Sequence, residues 1–420
     1  MLGKTITQPQ KASAVSAQAS PRKVLFVAEA VTLAHVVRLV TLATALHHRG
    51  WQVTLATDSR YASVVGPLPF PTVDLFTMPA VQFQRAISRG SPIFDFETLD
   101  RYVRDDLALL ERVQPDVVVG DFRISLAVSA RVAGVRYINL TNAYWSPLAQ
   151  IDHIVPEFYW VRWTGTRVGQ VLFDAFRRTG YARHVLPVNR VRRKYGLPPI
   201  GGDFRDALMD GDVTLFADLP QIIPTDPLPA HQHFIGPVPW SPPVPLPSWW
   251  DQFQGSRHKR PVIYVTLGSS GPPDVLQRVL DGLANADVDV IASTAGRARL
   301  RQVPANARVA DLLPGDQVCE VADLVICNGG SPGTYQALSH GKPVIGLVTN
   351  LDQFLNMAAV QRAGCGLLLR TGSTATTDLK DVLSALGRHG ACGAAARACR
   401  DATLVRVSVL ADTFARAAQS

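Results

Sequence analysis

Three short stretches in the second half of the chain carry residues whose types and spacing could hold a ligand. In "VICNGGSPGTYQALSHGKPVIGL", residues 325–347, an apolar run enters an Asn-Gly-Gly-Ser-Pro-Gly turn and leaves as a helical pattern. Gly329 and Gly330 let the backbone approach a ligand closely, Ser331 suits a helix N-cap, and Pro332 suits the first helical position, where its missing N–H costs nothing. The amides of Gly333 and Thr334 would then point out of the helix start. Such an end attracts an anion, phosphate first among them, by roughly 0.3–1 kcal/mol when exposed and about 2 when partly buried. The same residues also suit a tight serine-capped turn with no ligand. "TLGSSG", residues 266–271, is a second Gly-Ser turn, and two such turns could grip a diphosphate between them. Asp352 beside Gln353 sets a carboxylate next to an amide, a pair able to accept from and donate to the hydroxyls of a hexose. A solvated helix start is the plainer use of that pair.

Turns of this kind need strands behind them. "RKVLFVAEAVTLAHVVRLVTLATALHHRGWQVTLAT" alternates a short apolar run, a helical pattern ended by Gly50 and a second run rich in Val and Thr. The rhythm returns in "PDVVVGDFRISLAVSARVAGVRYINL", with strands expected at 116–120 and 135–140, and "DVTLFAD" at 212–218 reads as another strand. "GPVPWSPPVPLPSWW" then breaks the pattern with prolines that suit an extended connector. After it come "PVIYVTLGSSG", a helix over about 274–284, and the strands "DVDVIAS", "ARVAD", "ADLVICN" and "KPVIGLV". Strands alternating with helices argue for parallel sheets covered on both faces. The expectation is an α/β protein of two Rossmann-like doubly wound domains. Residues 1–21 would be a flexible leader, 22–236 the first domain, 237–260 a proline-rich linker and 261–405 the second domain. Residues 406–420 would form a C-terminal helix that could pack back on the first.

The 420 residues suit two domains, and 47% hydrophobic with 18% charged residues describes a globular chain with a sizeable interior. Lys and Arg outnumber Asp and Glu by 42 to 34, which would suit an anionic partner. The excess reads as scattered. Its densest cluster, Arg190 to Lys194, has no aromatic platform or nucleic-acid module beside it and is expected as a solvated helix face, so nucleic acid is not expected as a partner. Five cysteines, Cys319, Cys327, Cys365, Cys392 and Cys399, form no C-x-x-C pair and suit reduced thiols in the cytoplasm. Residues 1–21 lack a signal-peptide core, and no segment approaches 18 uninterrupted apolar residues, leaving only peripheral contact with a membrane open. "AEAVTLAH" after the first strand has no glycine, which excludes the G-x-G-x-x-G fingerprint, and no G-x-x-x-x-G-K-[ST] occurs. Asp287 and Asp289 in "DVD" alternate with Val inside a strand pattern and read as a sheet edge or exposed face rather than a metal motif.

From about residue 22 to 405 the series "AHVVRLVTLATALHHRGWQVTLAT", "PDVVVGDFRISLAVSARVAGV", "VNRVRRKYGLPP", "VTLGSS", "VADLLPGDQVCEVADLVICNGGSPGTYQALSHGKPVIG" and "TNLDQFLNM" resembles the UDP-glycosyltransferase family. The resemblance implies the GT-B arrangement, two such domains facing across a cleft. It implies a metal-independent transferase that moves a hexose from a UDP- or dTDP-linked donor to a hydroxyl of a small, apolar or aromatic molecule, inverting the anomeric centre. No resident cofactor is implied, since the nucleotide sugar is a co-substrate. Leu313 and Pro314 fall where the family holds the base and Gln336 where it contacts the ribose. Gly268, Ser269, Ser331 and Gly333 fall on the phosphate loops, with Asn328 and Gly330 in the same turn as donor-binding residues, and Asp352 and Gln353 match the pair that binds the sugar. Asn328 stands where the family usually has His, Pro332 where it has a residue with an N–H, and Gln336 where it has Glu.

Displacing a nucleoside diphosphate requires the acceptor's proton to leave as its oxygen attacks, so a general base must reach the cleft. His35, in the turn expected after the first strand, falls on the family's catalytic His, and Asp121, after "DVVVG", on the Asp that orients it. Tyr144 and Trp145 of "NAYWSP", with the aromatics of "FYWVRW" at 158–163, would line an acceptor pocket or simply fill the core. Two other uses of the architecture are a sugar-nucleotide epimerase and a non-catalytic sugar-nucleotide-binding helper. The first would need acid and base groups in the second domain, and the second would not need His35 and Asp121.

Overall fold

The computed structural model describes residues 22–253, 260–268, 271, 273–372 and 393–402. Ser269, Cys392, the leader 1–21 and the segment 406–420 lie outside the described residues.

The first sheet comprises β1 (Lys23–Ala28), β2 (Gln52–Thr57), β3 (Thr72–Asp74), β4 (Val117–Asp121), β5 (Arg136–Thr141), β6 (Val213–Phe216) and β7 (Gln232–Phe234), its inner strands rich in Val, Ile, Leu and Ala and its edges β3 and β7 short and polar. All pair in parallel, in the order β3-β2-β1-β4-β5-β6-β7. The second sheet comprises β8 (Val262–Thr266), β9 (Asp289–Ser293), β10 (Ala307–Ala310), β11 (Leu324–Cys327), β12 (Val344–Val348) and β13 (Gly366–Arg370). It is parallel too, in the order β10-β9-β8-β11-β12-β13. The central strands are buried on both faces, which is why they read as unbroken apolar runs. In each sheet the order reverses beside the first strand, between β1 and β4 and between β8 and β11. Ligands of open α/β sheets bind outside the carboxyl ends of the strands at such a reversal.

Two backbone positions near those reversals leave little or no room for a side chain. A Cβ on Gly120 in β4 would lie 2.5 Å from Leu126 Cδ1. Gly329, after β11, has φ 75°, and a Cβ there would lie 2.6 Å from Val348 Cγ1. Behind the first reversal a fully buried Arg123 pairs with Glu29 at 3.0 Å and Asp106 at 3.0 Å, and Glu29 N donates to Asp121 O at 3.1 Å. These contacts fix the ends of β1 and β4 relative to one another. The cluster Arg190 to Lys194 closes the long helix Val161–Lys194. It is not wholly a solvated face: Arg192 is buried, donating to Pro198 O at 2.7 Å beside Asp210, because the helix end packs against the 198–210 segment.

Candidate active site

The helix Leu33–His47 starts just past β1, and His35 lies in its first turn rather than in the preceding loop. Asp121 is the last residue of β4 and pairs across the reversal with Ala28 of β1. The ring and the carboxylate therefore meet: His35 Nδ1 is 2.7 Å from Asp121 Oδ1. Arg38 follows His35 by three residues, so it shares that helix face. Its Nε donates to Asp121 Oδ2 at 2.8 Å, its Nη2 to Asp121 Oδ1 at 2.8 Å, and its Nη1 to Asn142 Oδ1 at 2.7 Å. With the carboxylate accepting from Nδ1–H, Nε2 of His35 is left with its lone pair, the tautomer a general base needs.

Burial pushes the Asp121 carboxyl up, but the Arg38 guanidinium and His35 beside it outweigh that and hold it below the ordinary carboxylate range. Burial likewise lowers Arg38, and Asp121 more than restores it. A bidentate, charge-assisted pair of this kind fixes the carboxylate in both position and charge. Arg38 was not anticipated from sequence. Its signal was present, because a single Arg inside the apolar helix "LAHVVRLVTLATALHH" must be paired if that face is buried.

Phe122 was also unforeseen. Its backbone takes φ 60°, uncommon for a bulky residue, and its ring stacks on His35 with centroids 5.0 Å apart and planes 9° from parallel. The ring closes one face of the imidazole, so His35 is held by a hydrogen bond at its edge and a stack on its plane.

At the second reversal, Gly268 follows β8 with φ 57° and the 328–333 turn follows β11. The turn differs in detail from expectation. Gly330 is the N-cap of the helix Ser331–Ser339, Ser331 its first residue and Pro332 its second. The shift arises because the Ser331 hydroxyl accepts from Asn142 Nδ2 across the domain boundary at 3.0 Å instead of capping its own helix. The Thr334 amide is not free for an anion either, since it donates to Gly330 O at 3.1 Å. Asn328, largely buried, accepts from Gly330 N at 3.1 Å and shapes the turn. Leu313 faces the cavity, while Pro314 caps the helix Gly315–Val321. Gln336 Nε2 lies 3.1 Å from Trp240 O, 3.0 Å from Ser241 Oγ and 3.1 Å from Asp316 Oδ1, which ties it to the proline-rich connector.

Asp352 is not a solvated helix start. Its Oδ1 accepts from Tyr144 O–H at 3.0 Å and from Trp145 Nε1 at 2.8 Å. The two residues expected to touch an acceptor therefore brace a second-domain carboxylate across the cleft, both through Oδ1. Gln353 is buried, and its Oε1 caps the helix Leu351–Arg362 through Thr349 N and Asn350 N. Beside these contacts sits Asp218, the residue two beyond the end of β6. Burial raises its pKa to about 6, although Ala143 N, Asn142 Nδ2 and the Tyr335 hydroxyl bond to it.

Most of these groups, though not Asp218, Pro314 or Thr334, surround one cavity of about 1100 Å³. His35, Arg38 and Asp121 line one part; Gly268, Asn328, Gly330, Ser331, Gly333, Gln336, Asp352 and Gln353 line another. Phe83, Phe122, Phe158, Trp160, Phe173 and Phe176 surround the remainder on the first-domain side. The volume suffices for two substrates side by side. Of the "FYWVRW" aromatics, Phe158 and Trp160 line the cavity, while Tyr159 and Trp163 are exposed.

Residues 277–408 match the family described as Erythromycin biosynthesis protein CIII-like, C-terminal domain. The chain is 48% identical over 350 residues to a PGL/p-HBAD biosynthesis glycosyltransferase of Mycobacterium tuberculosis, covering 83% of this chain and 81% of the relative. The chain belongs to this glycosyltransferase family. A PGL/p-HBAD biosynthesis rhamnosyltransferase of Mycobacterium bovis is likewise 48% identical over 365 residues, 87% of this chain and 80% of the relative. Among solved structures, Spinosyn Rhamnosyltransferase SpnG complexed with thymidine diphosphate superposes with a TM-score of 0.67 at 18% identity, covering 94% of this chain and 100% of that one. The fold is therefore that of the GT-B glycosyltransferases, as the sequence resemblance implied.

Proposed function

We propose that this glycosyltransferase moves a hexose from a nucleoside diphosphate sugar to a hydroxyl of a small apolar or aromatic acceptor, with inversion. The observation that carries this reading is the 2.7 Å His35–Asp121 contact, clamped by Arg38, in the same cavity as the turns after β8 and β11. His35 Nε2 takes the acceptor's hydroxyl proton as the oxygen forms its bond to the anomeric carbon. The bond from that carbon to the diphosphate oxygen breaks, and its electron pair leaves with the nucleotide. Asp121 stabilises the imidazolium that forms. The start of the helix Ser331–Ser339 meets the developing charge on the diphosphate with its dipole and backbone amides, so neither a metal nor a resident cofactor is needed in this scheme.

The thymidine diphosphate complex of SpnG and the rhamnosyltransferase relative favour a dTDP-linked deoxyhexose, and acceptors of the PGL/p-HBAD class are the first to try. The Asp352 carboxylate is the group assigned to the sugar's hydroxyls. Gln353 would act from its capped position, more as the support of Asp352 than as a second ligand. Incubation with UDP- and dTDP-sugars, with and without phenolic acceptors and with EDTA present, tests the whole reading. Inverted glycoside with acceptor and slow donor hydrolysis without it are expected, whereas interconversion of donors would mark an epimerase and binding alone a helper. His35→Ala should leave nucleotide binding intact while turnover falls by roughly 10² to 10⁴, the usual worth of a general base. Unchanged turnover would remove His35 from the mechanism.

A further inference from the structure

We propose that the outer face of the helix Val161–Lys194 docks on an anionic membrane surface, setting the rim of the aromatic end of the cavity against the lipid. Ten large hydrophobic side chains are exposed among the described residues, and seven of them, Tyr159, Trp163, Val168, Val171, Leu172, Phe176 and Leu186, fall within residues 159–186. Scattered exposed apolar residues are ordinary, whereas a contiguous group marks a surface that meets something apolar. Val168, Leu172 and Phe176 recur every fourth residue and Val171 lies beside them, so they form one stripe on the helix. Trp163, 78% exposed, precedes the break at Gly165, where φ is 75°.

The occupant is identified by charge. From Val161 to Lys194 the helix carries nine basic residues (Arg162, Arg167, Arg177, Arg178, Arg183, Arg190, Arg192, Arg193 and Lys194) and one acid, Asp174. Arg192 and Lys194 are taken up by Asp210 and Asp100 off the helix, which leaves seven basic residues against one acid, 7 − 1 = +6, so most of the chain's excess of 42 − 34 = +8 sits on this helix. Arg162, Arg167 and Arg178 are exposed around the stripe. A helix with Trp, Phe and Leu on one side and Arg flanking them is the pattern of an element lying in the plane of a bilayer interface. Leu172 and Phe176 belong both to the exposed stripe and to the lining of the cavity, so the surface is continuous with the place where an apolar acceptor would enter. A soluble protein partner or a second copy of the chain would have little use for a ring of arginines without matching acids.

Cosedimentation of the full-length protein with vesicles of phosphatidylcholine alone, and of phosphatidylcholine with phosphatidylglycerol, tests this. Binding to the anionic vesicles and its loss on raising salt are expected. Each of Arg162→Gln, Arg167→Gln and Arg178→Gln should lower partitioning about fivefold, and the triple variant about a hundredfold. Trp163→Ser with Val171→Ser should lower it at least about tenfold. None of these residues lines the cavity, so thermal unfolding and turnover with a soluble acceptor should stay as in the wild type. Wild-type protein that remains in the supernatant at low salt, or binding that ignores these substitutions, would overturn the proposal. So would a dimer in sedimentation velocity that Trp163→Ser and Val171→Ser abolish, since a second copy would then be the occupant. The assay contains neither donor nor acceptor, so its failure and a failure of the transfer reading are read separately.

Discussion

Replacing Arg38 by Met keeps the length of the aliphatic stem and removes both hydrogen bonds to Asp121 and the one to Asn142. The carboxylate is then left with His35 as its remaining side-chain partner, in a site where its own side chain is 1% exposed. Breaking one side of a buried, bidentate pair costs about 3–5 kcal/mol, a large part of the 5–15 kcal/mol that stabilises a typical domain. The titration should change sign as well. In the wild type the folded Asp121 pKa is depressed, so its stabilisation is present above about pH 4 and is lost as pH falls further. Without Arg38 burial dominates, the pKa rises above its unfolded value, and stability should fall as pH rises from about 4. Urea unfolding at pH 5 and pH 8 reads that difference. In turnover, Arg38 acts only through Asp121 and His35, so the loss in kcat should exceed tenfold but stay within the roughly 10² to 10⁴ expected for His35→Ala. The acid limb of the rate profile should also move to higher pH. Arg38→Lys retains the charge but not the fork and should recover part of both. The decisive experiment is the double variant: His35→Ala with Arg38→Met should be no slower than His35→Ala alone. Losses that multiply would mean that Arg38 meets the substrate directly, and a fully stable, fully active Arg38→Met would refute the reasoning.

Other consequences can be checked at single positions. Phe122→Gly should be more stable in urea than Phe122→Ala by about 1 kcal/mol, reversing the usual order, because only glycine relieves φ 60°; both should lose turnover as His35 loses its stacked ring. The Asp218 pKa of about 6 lies above its unfolded value near 4, so its contribution to stability should fall by on the order of 3 kcal/mol as pH rises from about 4 to 6 and level off above. Asp218→Asn should flatten that slope in denaturant titrations across the same interval. Gly329→Ala forces a Cβ to 2.6 Å from Val348 and should destabilise by about 1–3 kcal/mol, lowering the midpoint of thermal unfolding.

The central strands were legible because burial on both faces leaves unbroken apolar runs; "VIYVT", "LVIC" and "VIGLV" could hardly be anything else. The edge strands Thr72–Asp74 and Gln232–Phe234 were not, since three half-exposed residues carry no period. The turns at the two reversals could be located from glycine and serine, yet not their hydrogen bonding. Ser331 looked like a cap because a cap is the local use of a serine, and the partner that claims it, Asn142, lies 189 residues away. The same limit hid the bracing of Asp352 by Tyr144 and Trp145, which takes a known position on each side of the cleft to see. Arg38 was local enough to flag, as a charge in an apolar helix, whereas Phe122 shows only through a backbone angle that sequence does not display.

The two halves are joined by side-chain contacts that include Asn142 with Ser331, Tyr144 and Trp145 with Asp352, Leu219 N with the Tyr335 hydroxyl, Ser241 with Gln336, Arg370 with Val155 O and Thr371 with Glu157. That set defines the seam along which hybrid enzymes can be assembled. A graft of the second half from a relative would register across it when it brought a hydroxyl at 331, a carboxylate at 352, a phenol at 335, an amide at 336, a guanidinium at 370 and a hydroxyl at 371. Screening parental pairs for those six positions before any cloning would separate chimeras that close from chimeras that merely express.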